Sequence, residues 1–396
     1  MSEQSLLHAL NPFMPGAGLQ PPELAGRDGE LELADAMAAR TKLGLLNRGV
    51  IMYGLRGVGK TALLLYMRTV TDRQHMATVK IEACADAGRN YDALFREIPL
   101  AIARVGQGDL GSRLGEVFSR VQSVSFEFMG VAATVDGKDD HRTESYRLQL
   151  LIEGFCEELR KEHSGLFLFI DELQEMDADT MGVLIAIQHE MGQRGLPFYI
   201  IGAGLPDLPG VLAKSRSYAE RLFDYRRIDR LSDEAAADGF QKPARSQGRP
   251  FDDEALRRLV DLSQGYPYFI QAYGAAAWNA SDSNPIGVAA VERGESAALE
   301  MLDQGLYLSR WQRASENGRR YLRIMAELSD DIVRTADVAA RFGSRGAAAS
   351  ARAALIGLGL IYASGYGSVA FSVPCMAEFV RRVSPAYEQP YDERSV

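Results

Sequence analysis

Gly54-Leu55-Arg56-Gly57-Val58-Gly59-Lys60-Thr61 fits the pattern G-x-x-x-x-G-K-[ST] without a mismatch, and its surroundings decide the fold. Ahead of it lies the apolar run Val50-Ile51-Met52-Tyr53. Behind it Leu63, Leu64, Met67 and Val70 recur at helical spacing. Strand, glycine-rich loop and helix in that order are the context a phosphate-binding loop requires. Glycines let the backbone turn tightly and bring its N–H groups against phosphate oxygens, and the following helix points the positive end of its dipole at the same anions. Gly54 through Ala62 therefore form the expected nucleotide cradle. Lys60 is expected to neutralise β- and γ-phosphates, and the Thr61 hydroxyl to ligate Mg²⁺, which prefers oxygen donors in octahedral geometry.

A second apolar run, Leu166-Phe167-Leu168-Phe169-Ile170, ends in Asp171-Glu172 about 110 residues further on. A continuous apolar strand of this kind is buried on both faces of a parallel sheet. Its acidic pair emerges at the carboxyl edge, where open α/β sheets bind ligands. Asp171 is expected to hold Mg²⁺ directly or through water. Glu172 is expected to orient and deprotonate the water that attacks the γ-phosphate. A chain that only binds nucleotide has no need of Glu172. No N-K-x-D segment is present, which disfavours GTP.

Length sets the number of domains. The 396 residues exceed one ordinary core and imply two or three. Hydrophobic residues at 46% and charged residues at 24% are ordinary globular values, which sets aside fibrous or wholly disordered chains. The net charge of -9 argues against a surface coated by nucleic acid. No apolar run approaches the roughly 20 residues that cross a bilayer, and no basic-then-apolar segment opens the chain, so a cytoplasmic protein without membrane contact is expected. Cys84, Cys156 and Cys375 show no C-x-x-C spacing and read as buried core thiols; the five histidines are equally scattered and suggest no metal.

The Pro- and Gly-rich residues 1–25 predict an arm lying on something else. A P-loop domain is expected over 26–230, an all-helical lid over 231–305, and a last domain over 310–385. Ser232 or Asp233 caps the first lid helix, and Pro267 marks another helix start. Within 106–145 the pattern predicts a Gly-punctuated loop from Gly106 to Gly115. The alternation of Val124, Phe126, Phe128, Val131, Ala133 and Val135, with a phase slip at Gly130, then predicts a bulged strand or hairpin. In the tail, three helical segments (Ser315 to Leu328, Thr335 to Phe342, Ala347 to Gly357) precede a hairpin with a Gly-rich tip and a final helix. That order is a winged helix-turn-helix. Residues after about 385 are expected to fray.

Together these features resemble the AAA+ and STAND class of P-loop ATPases, and most closely the origin-recognition-like bacterial and archaeal ATPases that end in a winged helix. The resemblance covers roughly residues 20–385, and the phosphate loop is its specific part. It implies an α/β fold of the ASCE type with sheet order 5-1-4-3-2, a helical lid, and ATP with Mg²⁺ as ligands. It also implies that Gly26-Arg27 lie against the adenine and that Gly265-Tyr266-Pro267 close over the nucleotide. Arg221 stands where the class places a trans-acting arginine of an ATP-dependent homo-oligomer; Arg226 and Arg227 are alternatives, as is a plain surface arginine. Two departures point to a slow, nucleotide-gated switch rather than a motor. Gly202-Ala203-Gly204 offers only backbone where the class has a polar sensor, and the helix at Tyr268 to Tyr273 has no arginine.

The tail leaves two functions open. Residues 310–385 hold 11 Lys+Arg and 6 Asp+Glu, a net of +5 in an acidic chain, as expected of a module for duplex DNA. Arg345 and Arg352 are then the contacts nearest the third helix. Yet that helix is mostly alanine and the wing has no Lys or Arg, while base readout needs long donors. The other reading is a protein-docking module in an ATP-gated signalling or defence assembly.

Overall fold

The computed structural model describes residues 8–16, 21–106, 109–132 and 140–384. The chain divides into two compact units, one of Gly26–Gly54 with Gly59–Ile228, the other of the arm, Leu55–Val58 and everything from Asp229.

In the first unit, α1 (Asp28–Lys42) leads to β1 (Gly49–Tyr53), then α2 (Lys60–Arg73), β2 (Ala77–Glu82), α3 (Ala87–Val105), α4 (Asp109–Ala132) and α5 (Asp140–Lys161). After these come β3 (Leu166–Asp171), a 3₁₀ turn at Leu173–Glu175, α6 (Ala178–Gln193), β4 (Phe198–Gly204), α7 (Leu208–Ser215), α8 (Ala219–Leu222) and β5 (Phe223–Arg227). The five strands are parallel in the order β5-β1-β4-β3-β2, as the resemblance implies. Every residue of β3 and β4 is buried, which explains their unbroken apolar sequences. Because all strands run the same way, the phosphate loop after β1 and the acidic pair after β3 share the carboxyl edge.

Residues 109–132 correct the expectation of a loop followed by a bulged strand or hairpin. They form one helix, α4. Leu114, Val117 and Val121 are buried at spacings of three and four, the period of a helix, and α4 packs on α5. Gly111 and Gly115 sit inside it rather than breaking it. Ala133 and Val135, the end of the expected hairpin, lie outside the described residues.

The second unit is helical at first: α9 (Asp233–Ser246), α10 (Asp253–Ser263), α11 (Pro267–Ala280) and α12 (Val288–Leu302). Ser232 caps α9 by accepting from the Ala235 N–H, and Pro267 opens α11. The arm lies on these helices. Phe13, 3% exposed, meets Phe240 and Phe251 at ring distances of 6.3 and 6.1 Å. A Cβ at Gly274 would stand 2.6 Å from the Phe13 ring, so α11 admits the arm only because 274 is glycine.

A π-helical turn, Asp303–Leu308, and α13 (Ser309–Arg313) lead to the tail. There α14 (Glu316–Leu328), β6 (Val333–Arg334), α15 (Thr335–Phe342), α16 (Arg345–Gly357), β7 (Ile361–Gly365), β8 (Ser368–Phe371) and α17 (Met376–Val383) follow in order. The strands form an antiparallel sheet in the order β6-β8-β7, which makes the tail a winged helix-turn-helix with one short strand more than the hairpin expected. One apolar cluster runs from the lid helices through the tail. Tyr307 joins them, stacking on Phe379 at 5.0 Å and donating to the Pro374 carbonyl at 2.9 Å. The expected fraying after about 385 falls outside the described residues. Of the cysteines only Cys156 is fully buried; Cys84 and Cys375 are half-buried, so the core-thiol expectation holds for one of three.

Candidate functional site

The site grows from two places where the carboxyl edge bends the backbone. Gly57 and Gly59 have φ of 81° and 91°, the left-handed region that side chains with a Cβ avoid, so the loop's curvature depends on these two glycines. α2 starts at Lys60, and by helix geometry its first-turn N–H groups have no intrahelical acceptor. The Lys60 ammonium donates to the Gly54 carbonyl at 2.9 Å, which holds the charge over the loop. Gly54 in turn donates its N–H to the Gly204 carbonyl at the end of β4, at 3.2 Å.

Asp171, 8% exposed, ends β3 and accepts the Glu172 N–H on Oδ1 at 3.0 Å. Glu172 has φ of 49° and ψ of 41°. A non-glycine residue held there is uncommon and clusters at functional sites. The bend turns the chain off the strand and into the 3₁₀ turn at Leu173–Glu175. A threonine hydroxyl on the first turn of α2 and a carboxylate at a strand end are hard oxygen donors of the kind Mg²⁺ takes. The residues present therefore fit a nucleotide–magnesium pair.

The tip of the loop, Leu55–Val58, belongs to the second unit. There the Tyr268 N–H donates to the Gly57 carbonyl at 3.2 Å, and the Arg56 N–H to the Ser372 carbonyl at 2.8 Å. Tyr266 is half-buried beside Phe269, and burial pushes its hydroxyl above the ordinary tyrosine range.

Arg221 is exposed on α8, immediately before β5. In a parallel sheet that is the amino edge, a strand's length, roughly 17 Å, from the loop at the other edge. Arg226 is paired to Asp224 at 2.8 Å within β5. Arg227 lies at the carboxyl end of β5, in register with Tyr53. Gly26, with φ of 65°, and Arg27 precede α1.

One residue escaped the sequence reading. Gln174, on the turn after β3, donates to the Glu172 carboxylate at 2.6 Å and accepts the Leu205 N–H at 3.0 Å. The signal was present as a glutamine two residues after the acidic pair, facing a β4 end made of Gly202-Ala203-Gly204.

A family described as the AAA ATPase domain matches residues 23–201, the stretch that carries the phosphate loop and the Asp171-Glu172 pair. Residues 23–201 are an AAA ATPase domain. A family of unknown function matches residues 304–380, the π turn and tail that follow the lid. No curated protein matches the chain. Among solved structures, the chain is similar to a Walker-type ATPase of Pyrococcus abyssi, at 15% identity over 94% of this chain and 99% of that one, with a TM-score of 0.59. The ORC2 protein of Aeropyrum pernix, solved as ADPNP–ADP complexes, is 15% identical over 93% and 96% with a TM-score of 0.46. The RuvB branch-migration motor of Thermotoga maritima is 15% identical over 91% and 95% with a TM-score of 0.44. The Pyrococcus likeness extends the shared fold over both units. Among the described residues, no helix is long and apolar enough to cross a membrane.

Proposed function

We propose that the chain is a slow, Mg²⁺-dependent ATP hydrolase acting as a nucleotide-gated switch, whose tail engages a partner according to the nucleotide state. The observation that carries this is the AAA ATPase domain ending β3 in Asp171-Glu172, with Glu172 turned off the strand by its left-handed backbone. In this reading the backbone N–H groups of 55–62 and the Lys60 ammonium bind the triphosphate. Gly26-Arg27 lie at the base, and Tyr266-Pro267 cover it from the lid. The hydrogen bond from Tyr268 to Gly57 supports the last assignment. Thr61 and Asp171 would hold Mg²⁺, which supplies neutralising charge to the phosphate oxygens. Glu172 orients the attacking water and takes its proton. Arg221 serves a neighbouring copy in an ATP-dependent homo-oligomer, since the amino edge keeps it from its own loop. Slow turnover follows from an α11 with no arginine and a β4 end with only backbone.

For the tail, the reading carried by charge is duplex DNA, bound through the phosphate backbone without sequence readout. Its net of +5 supports this, and the exposed Arg345 at the start of α16 is one contact. Arg352 is half-buried, with its Nε buried and lacking a hydrogen-bond partner among the described residues, so it presents less than the sequence suggested. A protein-docking tail is favoured by a separate observation. Many of the tail's arginines serve its own fold: Arg319 bonds the Trp311 and Gln312 carbonyls, Arg341 pairs with Glu327, and Arg381 and Arg382 pair with Asp330 and Asp303.

Duplex binding with ATP and Mg²⁺ separates the two for the full chain, a truncation ending at about Asp303, and Arg345→Ala with Arg352→Ala. The DNA reading expects affinity that falls with salt at a slope of about -0.9 per neutralised phosphate, and that the truncation loses. Salt-independent or absent binding by the full chain, or equal binding by the truncation, contradicts it.

A further inference from the structure

The β4 end of this domain carries no polar side chain, yet the catalytic carboxylate is tied to it. Gln174 makes the tie. Its Nε2 stands 2.6 Å from Glu172 Oε2 and 3.4 Å from Glu175 Oε1, while its Oε1 accepts the Leu205 N–H at 3.0 Å. A backbone N–H only donates and a carboxylate only accepts, so the orientation of the amide is fixed by its two partners. The glutamine sits on a 3₁₀ turn pinned by the buried Leu173. β4 makes room for it: a Cβ at position 204 would stand 2.4 Å from Gln174 Oε1 and 2.8 Å from Leu208 Cδ2, so the approach depends on Gly204. The same Gly204 accepts the N–H of Gly54, the first residue of the phosphate loop, on its carbonyl. Phosphate loop, β4 end and Glu172 are thus joined through Gly204, Leu205 and Gln174.

We propose that Gln174 is the positioning residue of the hydrolytic site, its side chain supplying from the β3 turn the polar link that Gly202-Ala203-Gly204 does not supply from β4. This rests on the reading of Glu172 as the base. A bond from an amide N–H to a carboxylate is charge-assisted and stronger than a neutral one. It fixes the rotation of the Glu172 carboxylate, while the Leu205 bond fixes the amide. Neither end touches substrate. Asparagine, one methylene shorter, cannot span both partners.

The test uses the full chain with Mg²⁺ and measures kcat, KM for ATP, ADP affinity and Tm. Gln174→Met keeps length and volume but loses both hydrogen bonds. Gln174→Glu keeps an acceptor for Leu205 and loses the donor to Glu172. Gly204→Ala disturbs the bridge without altering the glutamine. The expected result is a kcat lower by on the order of 10²-fold in all three, the scale of a misplaced catalytic group. KM and ADP affinity stay at their wild-type values. Adding Gln174→Met to Gly204→Ala brings no further loss, as expected of residues acting as one unit. Wild-type kcat in Gln174→Met, or a fall in ADP affinity that matches the fall in kcat, overturns the proposal. Glu172→Gln, measured alongside, separates the failures. If it abolishes turnover while Gln174→Met does not, only the role of Gln174 is lost; if it hydrolyses ATP at the wild-type rate, Glu172 is not the base.

Discussion

Lys60, Asp171 and Glu172 each sit in a local pattern that the sequence itself displays, a loop between strand and helix or the end of an apolar run, whereas Gln174 takes its partner at Leu205 only because β4 lies beside β3. Asp207, just beyond the same strand, is a second residue that only the fold explains. Its Oδ1 is buried and has no hydrogen-bond partner among the described residues. Burial pushes the carboxyl above its ordinary range, helped by Glu175, while its own backbone and Lys214 act the other way. A carboxyl raised in the folded state favours folding most when protonated, and that contribution is lost as pH rises through the folded value. Asp207→Asn removes the cost of the charge. We expect the variant to have a higher Tm than the wild type at pH 7 and no advantage below about pH 4, near the ordinary carboxylate value. An equal gain at both pH values in thermal unfolding would show that the charge is not the cause.

At the scale of elements, strands were read well where both faces are buried, as in β3 and β4. α4 was misread because residues 124–135 contain apolar residues at spacings of two as well as three and four. The sequence alone does not say which period is used. The buried Leu114, Val117 and Val121 upstream follow the helical one, and packing against α5 decides it. The arm was legible only as a segment without regular structure; its Phe13 contact depends on a partner more than 200 residues away. Phe13 fills a recess that Gly274 leaves open and meets two further rings. Phe13→Ala should cost about 3–5 kcal/mol, the usual range for emptying such a site. Urea unfolding followed by intrinsic fluorescence measures it. A change below about 1 kcal/mol would place the arm off the lid in solution.

At the scale of the whole molecule, the parallel sheet puts the phosphate loop and Arg221 at opposite edges of one domain. The phosphate loop is at the carboxyl edge and Arg221 at the amino edge, so Arg221, if it acts on ATP as proposed, acts on ATP held by another copy. Arg221→Ala should then lower hydrolysis and leave nucleotide binding unchanged. Mixed with Lys60→Ala protein, it should regain part of its activity, because a hybrid interface pairs an intact loop with an intact arginine. Steady-state hydrolysis across mixing ratios reads this out, and strictly additive rates would assign Arg221 a structural role.

ATP hydrolysis by this chain, with the loop binding and Glu172 activating water, is the function proposed above. It is tested most directly by measuring ATP affinity and single-turnover hydrolysis side by side for the wild type, Lys60→Ala and Glu172→Gln. Lys60→Ala should lose binding, because the charge opposite the phosphates is gone. Glu172→Gln should bind ATP as the wild type does and fail to turn it over, because only the base is missing. Equal loss of binding in both variants, or undiminished hydrolysis by Glu172→Gln, would contradict it.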